Sequence, residues 1–287
     1  MKKKIILITG TSSGFGWLAA KTCAAAGHKV YASMRNTTSA NVQKAMLLSM
    51  VDNIEVIEVD LTKSRSVSDA ISSIINKEGR IDVLVNNAGV FATGIAETFT
   101  EQDIEKVMDV NLKGNWRTMK AVLPHMRSQQ EGLIINVSSA GGRFSTPFMS
   151  IYNSSKFALE GLTEALHYEV RPLGVDVVLL QPGAFPTEIF NKIISGSDDQ
   201  VIDGYGDIAK VPEQMGAGIM QMFEAVKPNP QFVADAVLQL INTPKGKRPL
   251  RTVADAVTGH LVETANNEVQ EQFSHFLSAF GMQGMLN

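Results

Sequence analysis

Tyr152 and Lys156 stand four residues apart, behind a serine pair, Ser138 and Ser139, that closes the apolar run GLIINV. Residues four apart on a helix share a face. A helix starting near Tyr152 would therefore send a phenol and an ammonium into one cleft. A free phenol ionises near ~10, too high for ready proton exchange at neutral pH. A lysine cation within a few ångströms favours the phenolate and is expected to pull that value down. A serine hydroxyl arriving from the strand end would hydrogen-bond a substrate oxygen beside the tyrosine. A proton donor and an orienting hydroxyl around one oxygen suit carbonyl/alcohol chemistry. Tyr-x-x-x-Lys alone is also the pattern of a lysine snorkelling over a half-buried tyrosine, so the pair acquires meaning only from its surroundings.

Those surroundings begin at the N-terminus. KKIILIT is a continuous apolar run, as a parallel strand buried on both faces requires. It enters TGTSSGFG, with Gly10, Gly14 and Gly16, and then the helical stretch WLAAKTCAAAG. Strand, glycine turn and helix together let a pyrophosphate approach the backbone at a helix N-terminus. The spacing is G-x-x-x-G-x-G. HKVYASMRN is the second strand, and its end offers Met34 and Arg35 where an NAD site carries a carboxylate for the ribose hydroxyls. A guanidinium there suits a 2′-phosphate, so NADP(H) is the expected cofactor. Ser12 and Ser13 stand close enough in sequence to add hydroxyls.

A helical stretch (SANVQKAMLLSM) leads to the strand IEVIEVD, ending at Asp60 and Leu61. The helix DAISSIINKEG and the strand IDVLVNNAG follow. This alternation predicts an α/β fold, an open, doubly wound parallel sheet. Asn86, Asn87, Ala88 and Gly89 end the fourth strand at the carboxyl edge, where such sheets bind ligands. Residues 100–127 read as helix with Asn111 mid-way, mildly unfavourable there. The strand GLIINV, a helix running to Arg171, and the strand VDVVLLQPG, stopped by Pro182 and Gly183, complete the pattern. Residues 189–230 carry Gly, Asp, Met and Pro with weak periodicity, as in a lid or variable insertion. Met215, Met220, Met222 and Phe223 there are read as core packing, with pocket lining as the alternative. NPQFVADAVLQLIN is an amphipathic helix, RPLRTV a last strand, and the tail helical. Residues 1–287 read as one domain.

Composition narrows the class. At 44% hydrophobic the chain can bury a sizeable core, and its net charge of −3 with dispersed basic residues gives no electrostatic case for nucleic acid. The single cysteine, Cys23, lies among alanines and reads as small core filler in a reducing compartment. The apolar run IILI is too short for a secretory h-region or a membrane span. Lys2, Lys3 and Lys4 read as solvated. A cytoplasmic protein without membrane partner or metal is expected.

Together these motifs resemble the short-chain dehydrogenase/reductase family in its compact one-domain form, well over residues 3–190 and in outline beyond. TGTSSGFG, including Phe15, is similar to its glycine motif, Asp60 to its adenine-contacting aspartate, and NNAG to its cofactor-edge motif. Asn111, Ser139, Tyr152 and Lys156 fall where the family carries its catalytic tetrad, with Ser138 as the backup serine. PGAFPT is similar to the segment whose threonine, here Thr187, contacts the nicotinamide carboxamide. Met34–Arg35 looks like the NADP-type variants. The resemblance implies hydride transfer between nicotinamide and a carbonyl or secondary alcohol. Ser139 would position the substrate oxygen and Tyr152 exchange its proton. Lys156 would lower the tyrosine pKa and bind the ribose hydroxyls, and Asn111 would hold a water leading to solvent. A hydrophobic ketone or aldehyde is the expected substrate, from Phe185, Ile189, Phe190 and the methionines, and a homodimer or homotetramer the expected assembly. A non-catalytic NADP(H) sensor on the same fold is the rival reading, opposed by the intact Asn–Ser–Tyr–Lys set. An epimerase or dehydratase would want a larger C-terminal part, and a P-loop phosphotransferase fails for lack of Gly-Lys-[Ser/Thr].

Overall fold

The computed structural model describes residues 3–286. Its centre is a seven-stranded, wholly parallel sheet in the order β3-β2-β1-β4-β5-β6-β7. β1 (Ile5–Thr9) is buried at every position, as a strand covered on both faces must be. The chain leaves it through α1 (Gly14–Ala25), β2 (Lys29–Met34), α2 (Val42–Ser49) and β3 (Ile54–Glu58), moving outward on one side. It then crosses by α3 (Ser64–Glu78) to β4 (Val83–Asn86) on the other side of β1. The reversal between β1 and β4 opens the crevice in which ligands of such sheets lie.

The second half runs through α4 (Glu101–Met108), α5 (Asn115–Gln129), β5 (Gly132–Val137), α6 (Ser150–Val170) and β6 (Val175–Pro182). It ends with α7 (Val211–Val226), α8 (Gln231–Asn242), β7 (Arg251–Ala254) and α9 (Gly259–Ala279). Two apolar cores flank the sheet. Ile6, Ile8, Val30 and Val85 pack with α1 and α8 on one face, and Leu7, Leu84 and Ile134 with α3, α5 and α6 on the other. Cys23 is fully buried in the first, and burial pushes its thiol up to about 12, where it is inert.

Two expectations need correction, and a third holds with one refinement. The helix expected over residues 100–127 runs unbroken from α4 into α5, with Asp109–Gly114 wound as a π-helical turn between them. The extra residue in that turn aims the Asn111 side chain inward. Residues 189–230 are not featureless: α7 occupies Val211–Val226, its periodicity diluted by Gly216 and Gly218. Lys4 is not simply solvated, since its ammonium pairs with Glu131 at 2.6 Å. Lys3 is exposed, and Lys2 lies outside the described residues.

Candidate active site

The carboxyl ends of β1, β2, β4, β5 and β6 share one cleft of about 480 Å³. Its floor is the glycine turn after β1. Gly10 has φ +70°, and a Cβ on it would stand 2.7 Å from Cα of Ala88. A Cβ on Gly16 would overlap both the Gly10 carbonyl oxygen and Nδ2 of Asn87. That Nδ2 donates to the carbonyls of Thr9 at 2.8 Å and Gly10 at 3.1 Å, while Thr9 Oγ1 accepts from the backbone N–H groups of Asn87 and Ala88, each at 3.0 Å. The turn and the end of β4 are thus stitched into one surface that admits no side chain. Asn86 does different work, joining Asn136 of β5 and Thr118 of α5 in a buried polar chain.

Ser12, Ser13, Gly14 and Phe15 continue the wall, and Arg35, Asp60 and Leu61 line the same cleft from the ends of β2 and β3. The Arg35 guanidinium carries no hydrogen bond or ion pair to the described residues. Burial works against the charge of Asp60, but donation from Thr62 and the nearby Lys63 ammonium leave its carboxyl below the usual range. From β6, Pro182 and Gly183 line the opposite side, with Thr187 packed on Gly14. Phe15 and Phe185 meet edge to face at 5.6 Å.

At the other end of the cleft Tyr152 and Lys156 enter from the first turns of α6, and Ser139 from the end of β5. The Ser139 hydroxyl oxygen accepts from the Gly141 N–H at 3.0 Å, and its hydrogen bond to the phenol connects β5 to Tyr152. Ser138 faces the other way: its buried hydroxyl lies against Gly142 with no hydrogen-bond partner among the described residues. Of the pair, Ser139 is therefore the one beside the phenol. Lys156 Nζ donates to the Val137 carbonyl at 2.9 Å and sits 5.8 Å from the centre of the Tyr152 ring.

The electrostatics differ from the expectation. Burial raises the pKa of Tyr152, opposed by the Ser139 hydrogen bond, and Lys156 does not draw it down. The lysine's own pKa is lowered by burial to about 8, with Glu160 acting against the fall. A phenol in this setting is held as an acid.

Asn111 and Gly16 do not line the cleft. Asn111 is fully buried; Nδ2 donates to the Val90 carbonyl at 2.9 Å and to Ser155 Oγ at 3.0 Å, and Oδ1 accepts from the Val90 N–H at 2.8 Å. It braces the loop that continues from Gly89, with Oδ1 and Lys156 Nζ on the same side of that glycine, 3.3 and 3.8 Å from where a Cβ would lie.

The family model described as short chain dehydrogenase matches residues 4–198. The chain belongs to the short-chain dehydrogenase/reductase family. A 3-ketodihydrosphingosine reductase of Bacteroides thetaiotaomicron is 39% identical over 246 residues, 81% of this chain and 87% of that one. Human 17-beta-hydroxysteroid dehydrogenase type 1 is 35% identical over 253 residues, 85% of this chain and 76% of that one. Among solved structures, a short-chain dehydrogenase/reductase from Burkholderia phymatum in complex with NAD has a TM-score of 0.74 at 26% identity, covering 94% of this chain and 95% of that one. The fold and the dinucleotide cleft of this short-chain dehydrogenase follow from that membership, and its activity is that of an oxidoreductase.

Sequence reasoning missed part of the substrate end. Phe91, Met149, Asn153 and Ile219 also line the cleft. Met215, Met220 and Met222 do not: Met220 is exposed, and it is Ile219 of α7 that faces inward, while Phe223 is buried against Phe190. Only the phase of α7 could have distinguished Ile219 from its neighbours. Asp103 was also missed, although Thr100-x-x-Asp103 carries the capping-box pattern that would have singled it out; it ties down Ser197, between β6 and α7. Its carboxylate accepts from the Ser197 hydroxyl and N–H and from Thr100. The Ser197 donation holds its pKa well below the carboxylate range.

Proposed function

We propose that this chain is an NADP(H)-dependent reductase of hydrophobic ketones or aldehydes, with Tyr152 as general acid/base. The observation that carries the reading is one cleft with Arg35 at the adenosine end and Ser139, Tyr152 and Lys156 together at the other. Arg35 is unpaired where a 2′-phosphate would stand, and no carboxylate ends β2, so the guanidinium is available for a bidentate contact. The close approach of Gly10 to Ala88 and of Gly16 to Asn87 leaves a side-chain-free cradle, which fits a dinucleotide pyrophosphate.

The bound nicotinamide supplies the hydride in reduction or takes it in oxidation. Ser139, its oxygen pinned by Gly141, donates a hydrogen bond to the substrate oxygen and keeps its proton. Tyr152, kept protonated by burial, gives that oxygen the single proton that makes it a hydroxyl. Lys156 uses one of its three donors on Val137, leaving two for the ribose hydroxyls and the phenol. Asn111 holds the backbone at Val90 and, on this reading, the water that reconnects Lys156 with solvent. A tyrosine held as the acid suits reduction, and cellular NADPH, kept reduced, favours the same direction.

Support for an apolar substrate comes from a row of rings. Tyr152 meets Phe91 at 4.9 Å, Phe91 meets Phe190 at 5.4 Å, and Phe190 meets Phe223 at 5.5 Å. The named relatives act on a keto-sphingoid base and a hydroxysteroid, which agrees with such a wall. Residues 189–230 form the substrate lid of this single-domain reading. A homodimer or homotetramer is part of the proposal, supported by the exposed Trp116 on α5 and Phe157 on α6. A cytoplasmic location belongs to it too; no helix among the described residues is long and apolar enough to cross a membrane.

The test is a parallel fluorescence titration with NADPH and NADH, followed by turnover on long-chain keto-amines, ketosteroids and short ketones. Tighter NADPH binding and turnover of the apolar ketones are expected. Tight binding without turnover of any of them would favour the sensor instead.

A further inference from the structure

One helical turn beyond Lys156, Glu160 is only 4% exposed. A carboxylate so placed is unfavourable unless its oxygens are satisfied. Here each oxygen has its own donor. Gln181 Nε2, from β6, reaches Oε1 at 3.0 Å, and Arg251 Nε, from β7, reaches Oε2 at 3.0 Å. Both donors are fixed in turn: Asn266 of α9 donates to Gln181 Oε1 at 2.7 Å, and Arg251 Nη2 donates to Glu164 Oε2 at 2.8 Å. Gly142 leaves the room, since a Cβ there would stand 3.0 Å from Glu160 Cγ and 3.3 Å from the Lys156 carbonyl oxygen. Side chains from two elements outside α6, one of them held in turn by a third, thus fix one carboxylate behind the lysine.

We infer that Glu160 is a positioning residue for the reaction: its carboxylate, locked by Gln181 and Arg251 one turn behind Lys156, keeps that lysine an ammonium in a site that has removed its water. The inference rests on the reading of Lys156 as the cation of the site. Burial alone drives Lys156 toward the neutral amine, and Glu160 is the charge that opposes it. The other groups facing the pair are few. Tyr152 and Glu164 lie on the same helix, Arg251 comes from β7, and Arg143, from the loop after β5, faces Glu160, Glu164 and Arg251. β6, α9 and the π-helical turn contribute the neutral Gln181, Asn266 and Asn111. In that turn Asp109 and Lys113 are paired with Arg117 and Glu105 instead.

The experiment compares wild type, Glu160→Gln and Glu164→Gln by two readouts. One is the NMR titration of Lys156 in protein carrying ¹⁵N-labelled lysine, assigned with Lys156→Arg. The other is the pH profile of kcat/KM. In wild type the ammonium is lost as pH rises through about 8. In Glu160→Gln the midpoint should fall by about one pH unit, with the alkaline limb of the rate profile following it. Glu160→Asp, which keeps the charge but withdraws it, should shift both by less and in the same direction. Glu164→Gln removes a carboxylate from the same arginine, further along the helix, and should move neither. An unmoved midpoint in Glu160→Gln, or an equal shift in Glu164→Gln, would overturn the inference. A moved midpoint with an unmoved rate profile would instead overturn the catalytic reading of Lys156.

Discussion

Replacing Gly16 by alanine puts one methyl group where the chain has no room. It would overlap the Gly10 carbonyl oxygen and the Asn87 amide nitrogen. The first is backbone and cannot swing aside. The second can move only by giving up its hydrogen bonds to Thr9 and Gly10. Two such bonds contribute about 1 kcal/mol each, and overpacking a tight site costs about 1–3 kcal/mol more. The sum, about 3–5 kcal/mol, corresponds to a loss of roughly two to three and a half powers of ten in cofactor affinity if the glycine turn carries it. The fold should survive, because a domain has about 5–15 kcal/mol in hand. The assay is a fluorescence titration of NADPH beside a thermal unfolding curve. Gly218→Ala in α7 is the control, since nothing lies within 4 Å of its added Cβ and its φ is ordinary; it should stabilise by about 0.5–1 kcal/mol. A Gly16→Ala protein with NADPH affinity within threefold of wild type would refute the reasoning about the cradle.

Two further outcomes are expected. Arg35→Asp places a carboxylate at the end of β2, so NADPH affinity should fall by at least tenfold while NADH affinity holds or improves; an unchanged ratio in paired titrations would move the 2′-phosphate site elsewhere. Asp103→Asn weakens the tether to Ser197, raising KM for the carbonyl substrate with little effect on NADPH affinity, and destabilising by about 1–3 kcal/mol at neutral pH. Because the folded carboxyl is held below its unfolded value near ~3.9, that stabilisation is complete above about pH 5 and fades as pH falls through the lower, folded value. Denaturation curves of the two proteins should therefore converge in strong acid, and a constant gap down to the lowest pH would count against the tether.

The parts legible from the chain alone were those with local causes. Ile5–Thr9 is apolar throughout because both faces are covered, and the glycines of TGTSSGFG are small because Ala88 and Asn87 press on them. Such constraints write themselves into residue type. Which of Ser138 and Ser139 meets the phenol was legible only as a spacing, since the answer lies in the turn at Gly141 and Gly142. The direction of the Tyr152 shift was misread for the same kind of reason: i,i+4 spacing brings Lys156 near, but burial and the Val137 carbonyl decide what the lysine does there. Asp103 has a local signature in its capping box with Thr100, but its tie to Ser197 joins residues distant in sequence, and no local pattern encodes that tie or the inward phase of Ile219.

The central claim is that Tyr152 supplies the proton for a reduction run with NADP(H). The most direct test uses NADPH deuterated at C4 and an apolar ketone turned over by the wild type, with mass spectrometry of the alcohol and a fluorescence titration of cofactor binding. Wild type should deliver one deuterium to the carbinol carbon. Tyr152→Phe should bind NADPH within about threefold of wild type yet form labelled alcohol at least a hundredfold more slowly, the lower end of what a positioned acid contributes. Labelled alcohol formed by Tyr152→Phe at a rate near that of wild type would contradict the account.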